Sequence, residues 1–435
     1  MQALRIHAGP LARQHIETHG LQAGDVGTIP AAAGGPKGLI LGALDEFVFG
    51  HWLAQTTQVV HLVGASIGAW RMTTACLDGA DAAGEAGVLT GGTTGGMTGG
   101  MTGGKKRQAG VAAFRRLAHD YIHQHYELQP GQKRPTAHHI SERFGQGLQR
   151  IYAGRVAEVL EHPRFRLHII TARGRHVLHT EHALRSRLGY LGAFLTNTVH
   201  RKSMGAWLER VVFSSQKAAL PFTTTDYRTR QVALSPDNFM DALQASCSIP
   251  FLLNSVRNIA GAPPGAYWDG GITDYHLHLN YTNPAENIIS IANYLSRTWE
   301  KDTFDHLNGK PEALETAPSA AAGSPLPEPA SRAAALVFYP HFQKAVVPGW
   351  LDKSLKWRHK ATGCLDNMLL LAPNPDWVKT LPNGKLPDRA DFTHYATDLA
   401  GRVKAWTGAA SASQQLADEF AAWLDRPDMK QVLPL

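Results

Sequence analysis

The sequence predicts an α/β protein with a central, mostly parallel sheet. Two strand–turn–helix units follow one another near the N-terminus, at residues 26–50 and 58–78. Two such units in succession argue for parallel strands joined by helices. The run Val59–Val63 is short, apolar and β-branched, as a strand buried on both faces should be. The 435-residue chain is 43% hydrophobic and 18% charged, enough for one large domain or two modest ones.

Taken in order, residues 9–20 read as a short amphipathic helix. "VGTIPAAAGGPKGLILGALDEFVFG" then reads as a strand, a glycine-rich turn and a helix. "QVVHLVGASIGAWRMTTACLD" repeats that order, with an apolar helix from Ala69 to Leu77. The tract 91–104, "GGTTGGMTGGMTGG", has the composition of a flexible loop. A helix follows over "KKRQAGVAAFRRLAHDYIHQHYEL". Short strands are expected in "RFRLHIITARG", "RVVFSS" and "QVALSPDN", and a helix over Asn238–Cys247. Residues 310–334 are rich in Ala and Pro and read as a disordered insert. "ALVFYP" after the insert returns as a strand of the same sheet, and Asp388 to Leu424 reads as helices.

The net charge of +7 suits either an anionic surface or simple solubility. The cluster Lys105, Lys106, Arg107, Arg115 and Arg116 sits near a helix start, where positive charge opposes the helix dipole. It is a candidate contact for lipid headgroups, though a solvated charged face is the commoner reading of such a cluster; no nucleic-acid partner is expected. Three distant cysteines, Cys76, Cys247 and Cys364, give neither a metal spacing nor a disulfide framework. Cys76 and Cys247 read as core residues. The N-terminus lacks the apolar run of a cleavable signal peptide, and the sequence has no run long enough to span a membrane. The expected location is the cytoplasm or a membrane periphery.

Three stretches carry candidate chemistry. "GASIG", residues 64–68, fits the G-x-S-x-G turn that exposes a serine between strand and helix, with Gly64 and Gly68 around Ser66. The amide of Ile67 then lies at a helix N-terminus, where it can face a developing oxyanion. "AAAGGPKG", residues 31–38, offers further donors at Gly34 and Gly35, with Lys37 and Gly38 alongside. Pro36 has no amide to give. It lacks the Walker A spacing and reads otherwise as a plain strand-to-helix connection. "YWDGGITDYHLHL", residues 267–279, sets Asp269 before Gly270 and Gly271. An aspartate beside Ser66 can take its proton once burial has raised its pKa from about 3.9. It also fits an ordinary turn aspartate. Ser246 and Ser248 read as capping or turn residues before Pro250.

Together and in this order, A-G-G-P-K-G, G-A-S-I-G and D-G-G resemble the patatin-like phospholipase family. "ASCSIPFLL", residues 245–253, is similar to the segment that precedes the family's aspartate. The resemblance covers about residues 25–295 and implies a patatin-like three-layer fold, with helices on both faces of the sheet. It implies a Ser66–Asp269 dyad, oxyanion donors at Gly34, Gly35 and Ile67, and Lys37 at the loop's basic position. Ala33 stands where the pattern has its first glycine. The implied activity is a serine acyl hydrolase on phospholipid or other lipid esters, with no metal and no cofactor. The expected division is a helical segment at 1–24, the catalytic domain at 25–365 and a helical extension at 366–435.

Rival readings remain. Asp274, His276 and His278 alternate in sequence and fit one face of a strand, as a metal site or a source of a triad histidine. With 22 histidines in the chain, such patterns also arise by chance. An ordinary Ser–His–Asp esterase or thioesterase, or a non-catalytic lipid- or protein-binding module, are the alternatives. The ordinary hydrolase reading explains neither A-G-G-P-K-G nor D-G-G, and the presence of all three motifs argues against an idle binding module.

Overall fold

The computed structural model describes residues 1–77, 104–123, 136–181, 183–281 and 336–435. The Gly/Thr/Met tract up to residue 103, the Ala/Pro insert and the side chains of Lys105, Lys106 and Arg107 lie outside the described residues.

Among the described residues eleven strands form one sheet: β1 (Leu4–Ala8), β2 (Val26–Ala31), β3 (Val60–Ala65), β4 (Phe165–Gly174), β5 (Leu208–Ser214), β6 (Thr229–Ala233), β7 (Val256–Arg257), β8 (Ala266–Asp269), β9 (Leu336–Pro340), β10 (Met368–Pro373) and β11 (Val432–Pro434). The main order is β11-β1-β10-β9-β2-β3-β4-β5-β6, with β8 against β4 and β7 against β8. Six of the ten pairings are parallel. Every residue of β2, β3, β5, β8, β9 and β10 is buried, so the centre of the sheet is covered on both faces. The protein is thus α/β with a mostly parallel central sheet.

The expected strands appear within a few residues of their sequence signals, and "ALVFYP" becomes β9, paired with both β2 and β10. The two chain ends differ from expectation. Residues 1–24 hold the helix Pro10–His19 but also β1, and residues 366–435 hold β10 and β11 beside helices at Leu399–Ala412 and Gln414–Asp425. Both ends therefore belong to the central sheet. The β10 run "MLLLAP" has no β-branched residue, so its pattern alone does not distinguish strand from helix. Its position between β1 and β9 decides it. The glycine-rich turn leads into tight 3-10 turns over Gly35–Leu41 before the short helix Gly42–Phe47. The bidentate pair Arg71–Asp45 (2.6 and 2.7 Å) ties that helix to the one that follows Ser66.

One feature of the sheet positions the site. β4 pairs with β5 along one edge from His168 to Gly174. On its other edge β3 pairs up to Ala65↔Ile170, and β8 continues from Asp269↔Thr171. β3 is parallel to β4 and β8 antiparallel, so the two strands run toward each other and meet at their C-terminal ends. Ser66 and Asp269 are brought together at that junction.

Candidate active site

Ser66 sits on a sharp turn between β3 and the helix Ile67–Ala75, with φ 57° and ψ −131°. A non-glycine residue at positive φ is costly and persists only where its surroundings hold it. Here the two flanking glycines permit the turn. A Cβ on Gly64 would lie 2.4 Å from the Ala69 Cα, and one on Gly68 would lie 2.0 Å from the Ala31 carbonyl oxygen. The helix is folded directly back onto its own strand and onto the end of β2. Ser246 holds the turn from the other side: its hydroxyl accepts the Ser66 amide (3.0 Å) and donates to the Ile170 carbonyl (2.7 Å). That role is beyond the capping function its sequence context suggests. Ser248, by contrast, does cap, donating to the Gln244 carbonyl at 3.0 Å.

Asp269 ends β8, and its Oδ1 accepts the Gly271 amide at 2.7 Å, which fixes the carboxylate. Its own amide donates to the Ser248 carbonyl at 2.8 Å. Ser66 and Asp269 are each 5% exposed and line one cleft of about 210 Å³. Burial raises the Asp269 carboxyl above its ordinary value; hydrogen bonding from Ser66, then the charge of Arg389, oppose that rise. A buried carboxylate with a raised pKa is a better proton acceptor than a free one. The Ser66 hydroxyl also meets the Cys247 thiol, which burial keeps protonated. Cys247 therefore touches the Ser66 hydroxyl as well as belonging to the core.

Of the candidate donors, Gly34 lines the cleft, while Gly35 and Ile67 are buried beside it. Gly38 packs against the Ile67 side chain, which joins the two turns. Gly270 abuts the Ile170 carbonyl of β4. Ala33, in place of a glycine, donates its amide to the Tyr275 carbonyl at 2.9 Å, and its methyl group faces Gly271. The loop and the D-G-G turn are thus in contact. Lys37 lines the cleft 5.3 Å from the Phe342 ring centre, and burial lowers its pKa.

Three cleft residues carried no motif in the sequence. Lys353 lies 4.0 Å from the Tyr275 ring centre, and Arg389 and Asp388 come from the C-terminal part of the chain. Desolvation, then repulsion from Arg389 and Lys37, pushes the Lys353 ammonium down to about 8. Three cations thus share the cleft with two carboxylates, the buried Asp269 and the half-buried Asp388.

The alternating Asp274, His276 and His278 have other employment. Arg210 binds Asp274 through two nitrogens at 2.7 and 2.6 Å. His276 and His278 bond through Nδ1 to the carbonyls of Ala345 and Val346. None of the cleft's lining residues is a histidine. Among the described residues, no group of three or more His, Cys, Asp or Glu side chains could hold a metal ion. Arg115 and Arg116 of the basic cluster lie in the middle of the helix Gly104–His123, not at its start as expected, and Arg115 pairs with Glu46 at 3.0 Å. No helix of the described residues is long and apolar enough to cross a membrane. Set against protein-family models, curated proteins and solved structures, the chain matches none.

Proposed function

We propose that this protein is a serine acyl hydrolase of the patatin-like kind, cleaving lipid esters through a Ser66–Asp269 dyad. The observation that carries the reading is the meeting of β3 and β8 on one edge of β4, which sets a serine on a strained turn beside a buried carboxylate. Asp269 accepts the hydroxyl proton as the Ser66 oxygen attacks the ester carbonyl. The negative charge that develops on the carbonyl oxygen is met by the amides of Gly34, Gly35 and Ile67. The tetrahedral species collapses, the alcohol leaves with the proton from Asp269, and an acyl-Ser66 remains. Water then gives a proton to Asp269 and attacks the acyl group; the bond to the Ser66 oxygen breaks, Asp269 returns the proton to that oxygen, and the carboxylic acid leaves.

The cationic rim favours an ester with an anionic group near the scissile bond, because such a group relieves the mutual repulsion of Lys353, Arg389 and Lys37. The reading is tested with an alkyl fluorophosphonate, which adds covalently to activated serines. The expected result is a single adduct on the peptide that contains Ser66, lost in Asp269→Asn. Absence of an adduct, or one on another residue, would overturn the dyad.

A further inference from the structure

The helix Ala183–Val199 is apolar on both sides. Its inner face, with Tyr190 and Ala193, packs on a small core that includes Trp268 and Ile272. On its outer face Leu188, Leu191, Leu195 and Val199 each expose more than half of their surface. Their spacing of three and four places them on one stripe. A helix with an exposed apolar stripe opposite its buried face has apolar surface left to cover. The stripe also continues beyond the helix. Phe251, exposed along with Leu252, sits edge-on to Tyr190 of the same helix, with ring centres 5.7 Å apart. Trp357 lies at the other end, where the neighbouring Arg358 caps the helix by donating to the carbonyls of Asn197 (2.6 Å) and Thr198 (3.2 Å). These seven are among the twelve large apolar side chains exposed among the described residues, so the clustering is not the usual scatter of single residues.

Two further observations select the partner. The patch adjoins the cleft, because Ile249 and Pro250, directly before Phe251, line it, as does Trp350, which packs on the same small core. Exposed cations border it: Arg185 and Arg187 near the helix start, and Lys202, Lys356 and Lys360 near its end. An apolar stripe with a cationic border beside a cleft mouth matches the interface of an anionic membrane. We infer that this face docks the protein on an anionic lipid surface and sets the mouth of the cleft against the headgroups. The inference rests on the lipid-ester reading for its purpose, but its test does not need turnover.

The test uses Ser66→Ala protein, which leaves the vesicles intact, sedimented with phosphatidylcholine vesicles with and without phosphatidylglycerol. The expected result is binding that strengthens with phosphatidylglycerol, and at least a tenfold weaker partition once Leu191→Glu and Leu195→Glu are added. In the otherwise wild-type chain, the same two changes leave hydrolysis of a soluble short-chain ester within twofold, which shows that the fold is intact. Quenching of Trp357 fluorescence by brominated lipid, absent in Trp357→Phe, gives a second readout. Failure of the parent to bind, or equal binding by the Leu→Glu protein, overturns the inference. So does a concentration-dependent dimer that the Leu→Glu changes dissolve, because a second copy would then cover the face. Vesicle binding by a protein whose wild type hydrolyses no ester would uphold the docking face and defeat the acyl hydrolase reading.

Discussion

Ser246→Ala is the sharpest test of how the strained serine turn is held. The Ser246 hydroxyl is wholly buried and makes two bonds, from the Ser66 amide at 3.0 Å and to the Ile170 carbonyl at 2.7 Å. Removing it strands a buried N–H and weakens the satisfaction of a buried C=O. Each such group costs roughly 1–3 kcal/mol, so the variant should lose about 2–4 kcal/mol of stability. The change removes only an oxygen, so little of the cost comes from packing. The turn at φ 57° then loses a restraint, and Ser66 shifts relative to Asp269. A displacement near 1 Å costs on the order of a hundredfold in rate. Urea denaturation reads the first effect, and kcat on a soluble ester, measured well below the denaturation midpoint, reads the second. A variant with unchanged stability and kcat would refute the idea that Ser246 holds the turn.

Three other expectations follow from the geometry. Gly68→Ala puts a methyl group 2.0 Å from the Ala31 carbonyl oxygen, so soluble yield and thermal midpoint should fall, with a cost of about 3 kcal/mol or more. The buried pair His61–His168, at 2.9 Å, makes the fold acid-sensitive. Burial, then the charge of Arg166, pushes His61 down to about 4. The unfolded chain therefore binds the proton first, and stability present above pH 6.5 is lost as pH falls toward 4, by about 3 kcal/mol, readable as a falling urea midpoint that His61→Gln flattens. Lys353 should give an alkaline limb near pH 8 in kcat/KM for anionic esters and none for neutral ones. Lys353→Gln should remove that limb and weaken anionic substrates by about fivefold, since a partly solvated charge contact is worth about 1 kcal/mol.

Much of the candidate site's backbone was legible in the sequence because it needs small residues at fixed spacing. Gly64 and Gly68 surround Ser66, and Gly270 and Gly271 follow Asp269, where Cβ atoms would strike Ala69, Ala31, Ile170 and Ala33. Such contacts leave a pattern in one short stretch. The parts that were not legible arise from contacts distant in sequence. Ser246 reaches the Ser66 amide across 180 positions, and its own surroundings give no sign of that partner. Lys353 and Arg389 enter the cleft from segments far along the chain in which no motif marks them. β8 escaped notice because four residues, "AYWD", are too short for a period, and only its register on β4 makes them a strand. β1 and β10 depend likewise on each other, pairing from Leu4↔Pro373 to Ala8↔Leu369. His276 and His278 show the reverse error: a suggestive alternation whose Nδ1 atoms bond to the carbonyls of Ala345 and Val346, away from the cleft.

The most direct test of the Ser66–Asp269 dyad is fatty-acid release from mixed phospholipid vesicles by wild type, Ser66→Ala and Asp269→Asn. The account predicts release by wild type and a loss of about a thousandfold or more in each variant, because neither half of the dyad acts alone. Full release by Asp269→Asn, or release that survives in Ser66→Ala, would contradict it.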